Sequence, residues 1–80
     1  MSAIGARVTA LLHATPAVVK SHGSGVYLGH FMHPEHRMGV ARIKLDSGKT
    51  IWGINCWYAP EAQVEDYIAS RYPNAEITLI

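Results

Sequence analysis

Val40-Ala41-Arg42-Ile43-Lys44-Leu45-Asp46 decides the fold class, because apolar and charged side chains alternate along it. Ala41, Ile43 and Leu45 share one face and Arg42 and Lys44 the other, the period-two signature of a strand with one buried and one wet side. Asp46-Ser47-Gly48-Lys49 follows as a hairpin turn, with a glycine where the backbone needs a left-handed residue. Residues 50–57 return as the partner strand, and Gly53 in its middle predicts a bulge or a sharp bend.

Upstream, residues 5–12 read as a strand with Val8, Ala10 and Leu12 on one face and Arg7, Thr9 and Leu11 on the other. Thr15-Pro16 interrupts it, and residues 17–20 form a short extended piece. Ser21-His22-Gly23-Ser24-Gly25 then reads as a turn, since its two glycines permit positive φ. Residues 26–32, with Tyr27 and Phe31, form another strand, and residues 33–38, polar and holding Pro34, form a loop. Downstream, Pro60 suits the first position of a helix, with Glu61 near the positive end of its dipole. Val64, Tyr67 and Ile68 make one apolar stripe on that helix, Pro73-Asn74 ends it, and residues 76–80 close as a strand. The expected fold is mainly β within a single domain, residues 1–80. It is a small, strongly curved antiparallel sheet or an SH3-like barrel, with one short helix before the last strand.

Composition narrows the function classes. Eighty residues cannot hold two cores, and 49% hydrophobic content with a net charge of +1 argues against disorder. Seven basic residues against six acidic ones supply no broad field for non-specific nucleic-acid binding. The single cysteine, Cys56, cannot form an intramolecular disulfide, which suits a reducing cytoplasm. No signal-peptide pattern or apolar run long enough to span a bilayer is present, so no membrane role is expected. A disulfide-free core this small predicts support from self-association, and hence a homo-oligomer.

Gly25-Val26-Tyr27-Leu28-Gly29, Ile43-Lys44-Leu45-Asp46-Ser47-Gly48-Lys49 and Trp52-Gly53-Ile54-Asn55-Cys56-Trp57 resemble the core of small, uncharacterised bacterial and mobile-element proteins with an SH3-like barrel. The resemblance covers the middle half of the chain. It implies a fold and carries no chemistry.

The catalytic motifs fail on spacing. Ser47-Gly48-Lys49-Thr50 imitates the end of a phosphate-binding loop, but Ile43 stands where its first glycine belongs and a strand follows. Gly23-x-Gly25 lacks the third glycine of a dinucleotide fingerprint, because Leu28 is there. His30, His33 and His36 lie three apart, yet Pro34 prevents a helix from aligning them, so no metal is expected. Glu35 beside them has no substrate logic as an acid or base. Cys56 lacks a local catalytic arrangement and reads as structural. Neither catalytic residues nor a cofactor are therefore expected.

Trp52 and Trp57 stand five apart and should face opposite sides of a regular strand, so that either both serve the core or one is core and the other is left for a contact. The leading reading is a self-associating, non-enzymatic binding module for a partner protein, as an inhibitor for example, or for an anionic small molecule. Its expected contact residues are His30, His33, His36, Tyr27, Trp52, Asn55, Trp57 and Tyr58. Gly23, Ser24, Gly25, Arg37, Arg42 and Lys49 are the expected anion contacts. The alternative is a single-stranded nucleic-acid module built on the aromatics and on a local basic face of Arg37, Arg42, Lys44 and Lys49. A hydrolase using Cys56 or a histidine-bound metal ranks last.

Overall fold

The computed structural model describes residues 3–80. Its strands are β1 (Arg7–Ala14), β2 (Val18–Met32), β3 (Gly39–Leu45), β4 (Thr50–Trp52), β5 (Trp57–Pro60) and β6 (Glu76–Leu79). A 3-10 turn, Gly53–Asn55, separates β4 from β5, and helix α1 (Glu61–Arg71) precedes β6. The strands form one sheet in the order β4-β3-β2-β1-β5, antiparallel throughout, with β6 added parallel to the first residues of β2.

The main departure from the sequence reading lies in β2. Residues 21–25 are not a turn; they belong to a continuous fifteen-residue strand. Their glycines serve other needs. Gly23 takes φ +98° where the β1 pairing shifts register, with His22 as the extra residue between Ser21 and Gly23. The Ser21 hydroxyl fills that irregularity, donating to the Ala10 carbonyl at 3.2 Å and accepting from the Gly23 N–H at 2.9 Å. Gly25 sits where β2 is paired on both edges, with Val8 of β1 and with Leu45 of β3. A Cβ there would overlap the Lys44 carbonyl oxygen and stand 2.7 Å from Leu45 Cα.

The return strand expected over residues 50–57 is also divided. Gly53 bends the chain into the 3-10 turn, at a place where Tyr58 and Ala41 leave no room for a side chain: a Cβ there would stand 2.9 Å from the Tyr58 ring. With β4 cut to three residues, no ladder joins it to β5 among the described residues, and the sheet does not close into a barrel. A radius of gyration of 12.8 Å agrees, against about 11.6 Å for a compact chain of this length.

Two clusters replace one core. Val8, Ala10, Tyr27, Ala41, Ile43 and Leu45 form the first, with Ile51, Cys56 and Tyr58 against it. Leu11, Val19, Ala59 and Val64 form the second, with Ala14, Ile68, Tyr72 and Ala75 around them. Strand alternation sends Ala10 to one cluster and Leu11 to the other. Leu12, expected beside Val8 and Ala10, is exposed instead, because β1 is irregular between Leu11 and His13.

Helix α1 covers the second cluster through Val64 and Ile68. Pro60 is its N-cap rather than its first helical residue, since ψ 138° leaves Pro60 extended. Glu61 in the first turn and Arg71 in the last complement the helix dipole.

Gly25→Ala should lower stability by about 3 kcal/mol, the upper range for forcing atoms into packed space. Gly48→Ala, which meets nothing within 4 Å and only strains a backbone at φ +98°, should cost about 1 kcal/mol. Urea denaturation of the two variants checks the ordering.

Candidate functional site

The loop joining β2 to β3 is built around one imidazole. His33 is 8% exposed, and its Nδ1 accepts from the Glu35 N–H at 3.1 Å and the His36 N–H at 3.3 Å. The His33 N–H donates to the Met38 carbonyl and the Arg37 N–H to the His33 carbonyl, both at 2.9 Å. Arg37 takes φ 51° to complete the turn. An acceptor on the side chain thus organises a polar, Pro-containing segment that has no periodicity of its own.

From this ring a ladder runs across the sheet edge. The His33 ring lies 4.6 Å from that of His36 on one side and 4.6 Å from that of Trp52 on the other. The Arg42 guanidinium lies 4.4 Å from the Trp52 ring centroid. Arg42 and Trp52 are cross-strand partners of β3 and β4, so the register itself brings the cation to the ring. Arg42 Nε is buried without a hydrogen-bond partner among the described residues.

Beside the ladder, His30, Met38, Gly39, Val40, Ala41, Gly53, Ile54 and Tyr58 line an open cleft of about 250 Å³. The buried Tyr27 hydroxyl is hydrogen-bonded to His30 Nδ1, and the Tyr27 and Tyr58 rings stack at 6.1 Å. Burial, with Tyr27 and Cys56 adding to it, pushes the Tyr58 hydroxyl above its ordinary range, so Tyr58 offers a neutral donor at the wall. Burial likewise pushes the Cys56 thiol up, and its S–H lies 3.7 Å from the Trp52 carbonyl. Cys56 is thus a half-buried thiol with its nucleophilic form disfavoured.

Of the expected contact residues, Tyr27, His30, His33, His36, Trp52 and Tyr58 gather at this end of the sheet, joined by Arg42. Arg37 is exposed on the same loop and Asn55 on the 3-10 turn. His30 and His33 do not act together: one faces Tyr27, the other is held by its loop and Trp52. Trp57 lies elsewhere, its ring 5.4 Å from Tyr67 of α1. Among the described residues no group of three His, Cys, Asp or Glu side chains is placed to hold a metal.

The expected anion contacts divide as well. Gly25 is packed against the β3 backbone and has no free face. Gly23, Ser24 and Lys49 line a notch of about 490 Å³ with His22, Asp46, Ser47, Glu61, Leu79 and Ile80. It opens where β3 and β6 leave the same edge of β2, and two carboxylates stand in it. Arg7 grips Asp46 through two bonds of 2.7 Å and reaches Glu61 at 3.5 Å. The sequence reading missed Asp46 and Glu61 as wall residues, and the one available signal was their opposite charge to Arg7, the only Lys, Arg, Asp or Glu on β1.

No protein-family model, curated protein or solved structure matches the chain. The site is therefore read from its own chemistry.

The Arg7 guanidinium beside Asp46 holds that carboxyl below the usual carboxylate range. A depressed folded-state value gives stability that is present above the unfolded value of about 4 and is lost as pH falls through the folded one. Asp46→Asn should flatten the loss of urea stability on acidification below about pH 4, and high salt should shrink the difference because the pair is exposed.

Proposed function

We propose that the protein is a non-enzymatic binding module that takes a side chain of a partner protein into the cleft beside His30 and Tyr58. The observation that carries this reading is the cleft itself: an apolar wall of Met38, Val40, Ala41 and Ile54 with two polar handles, His30 and the Tyr58 hydroxyl. Its volume, about 250 Å³, lies below the roughly 300–1,000 Å³ of drug-sized ligand sites and suits one anchoring side chain. Met38 and Ile54 are exposed at its rim, where a partner would bury them. Arg37 and Arg42 add positive charge nearby, which favours an acidic stretch of partner.

The anionic small molecule is the weaker variant, since an anion in the larger notch meets Asp46 and Glu61. The single-stranded nucleic-acid variant is weaker too. Arg42 lies over the Trp52 ring and the His33 ring stands 4.6 Å from it, so a base stacking on Trp52 competes with contacts the ring already makes.

Self-association belongs to the same proposal. Among the described residues β6 ladders only with β2, and Ile77 and Leu79 on it are exposed. So does the SH3-like character of the fold: a long second strand shared between two groups of neighbours and a 3-10 turn before β5, left open rather than closed. Residence in a reducing cytoplasm fits the lone thiol. No helix is long and apolar enough to cross a membrane among the described residues.

The cleft is tested by NMR titration of ¹⁵N-labelled protein with p-cresol, which mimics a tyrosine side chain. Saturable shifts should appear at Gly39, Ala41, Gly53 and Ile54 and vanish in Ile54→Glu, whose exposed position spares the core. Inorganic phosphate and a dT oligonucleotide run in parallel. Strong binding of either, with none of p-cresol, overturns the reading. Light scattering on the same samples should give more than the monomer mass at high micromolar concentration.

A further inference from the structure

A second aromatic group stands apart from that cleft. Trp57 of β5, Tyr67 of α1 and Tyr72 just after α1 come together beside the end of β1. The Trp57 and Tyr67 centroids are 5.4 Å apart with planes inclined by 46°, and the Tyr67 and Tyr72 centroids are 5.9 Å apart at 74°. The rings are therefore adjacent inclined walls rather than a flat stack. They line an open cleft of about 150 Å³ with Leu11, Leu12, His13 and Ala14.

We propose that this cleft binds a quaternary ammonium group. Three mutually inclined aromatic rings line one small space, and the face of an aromatic ring attracts a cation. Packing alone does not explain it, because Trp57 remains 46% exposed at the mouth. Tyr67 already attracts one cation from outside the cleft lining, the Arg71 guanidinium, 5.5 Å from its ring centroid.

The lining also selects among cations. It contains no carboxylate. A primary ammonium entering it leaves its water shell with no charged acceptor to replace it. A quaternary ammonium has no N–H to satisfy, spreads its charge over methyl groups and meets the rings and Leu12 by contact. The small volume admits one such headgroup and leaves the rest of its carrier outside.

The probe is choline, followed by the NMR signal of the Trp57 indole N–H, assigned by its loss in Trp57→Phe. Choline should shift it saturably, about tenfold more tightly than 3,3-dimethyl-1-butanol, its neutral isostere. Ethanolamine should give no saturable shift. Trp57→Leu, at an exposed position, should abolish choline binding as read from the Tyr67 and Ala14 amides, while Trp57→Phe keeps part of it. Ile54→Glu, at the other cleft, should leave it unchanged, so the two sites stand or fall separately. Acetyl-trimethyllysine amide and glycerophosphocholine, run alongside, report whether the ammonium arrives on a peptide or on a headgroup, and tighter binding of either supports the site. Equal binding of choline and its neutral isostere, or no saturable shift with choline, overturns the proposal.

Discussion

Everything else in the structure depends on the place where β2 has neighbours on both sides. At Gly25 and Val26 the strand is laddered to Val8 and Arg7 of β1 and to Leu45 and Lys44 of β3. The approach to β3 is so close that only a hydrogen fits on the Gly25 α-carbon. Before this point β2 has β1 and β6 beside it, and beyond it β2 has β3. One strand thus changes partners midway, and the glycine makes the change possible without breaking it.

That exchange of partners explains why the apolar side chains gather in two small clusters. β1 is the wall between them, with Ala10 facing one and Leu11 the other. Neither cluster extends far enough to cover its own margin. The cleft at His30 and Tyr58 opens beside Val40 and Ala41 at the edge of the first. The cleft of Trp57, Tyr67 and Tyr72 opens beside Leu11 and Ala14 at the edge of the second. Both clefts open where packing runs out.

Local signals in the sequence led to the elements whose reasons are local. Alternation over residues 40–46 is β3, Asp46-Ser47-Gly48-Lys49 is its turn, and Val64 with Ile68 is the packed face of α1. Glycine was misleading because its uses look alike in sequence. Gly23 and Gly25 imitate a turn, yet one supports a register shift and the other a backbone contact with residues twenty positions away. The break after Trp52 has a non-local cause too, since Tyr58 and Ala41 crowd Gly53. At the site, residue types pointed to His30, Tyr27 and Tyr58. The histidine spacing of three brings His33 and His36 together but not His30, because the His33 ring is turned into its own loop by two backbone N–H groups while His30 bonds Tyr27. Tyr67 read as helix packing from its spacing with Val64, and its pairing with Trp57 depends on how β5 lies against α1.

The parallel pairing of β6 with β2 has a kinetic meaning. It joins Val18 to Glu76 and Ser21 to Leu79, each 58 positions apart (76 − 18 and 79 − 21). The β1–β2 and β2–β3 hairpins close short loops, whereas this ladder must gather nearly the whole chain first, and loop-closure entropy delays it. β6 is therefore expected to dock after those hairpins. Until it does, the first residues of β2 present an uncovered edge, on which the same segment of another molecule fits as well as the chain's own. Crowded refolding would then favour exchange of β6 between chains over its docking at home.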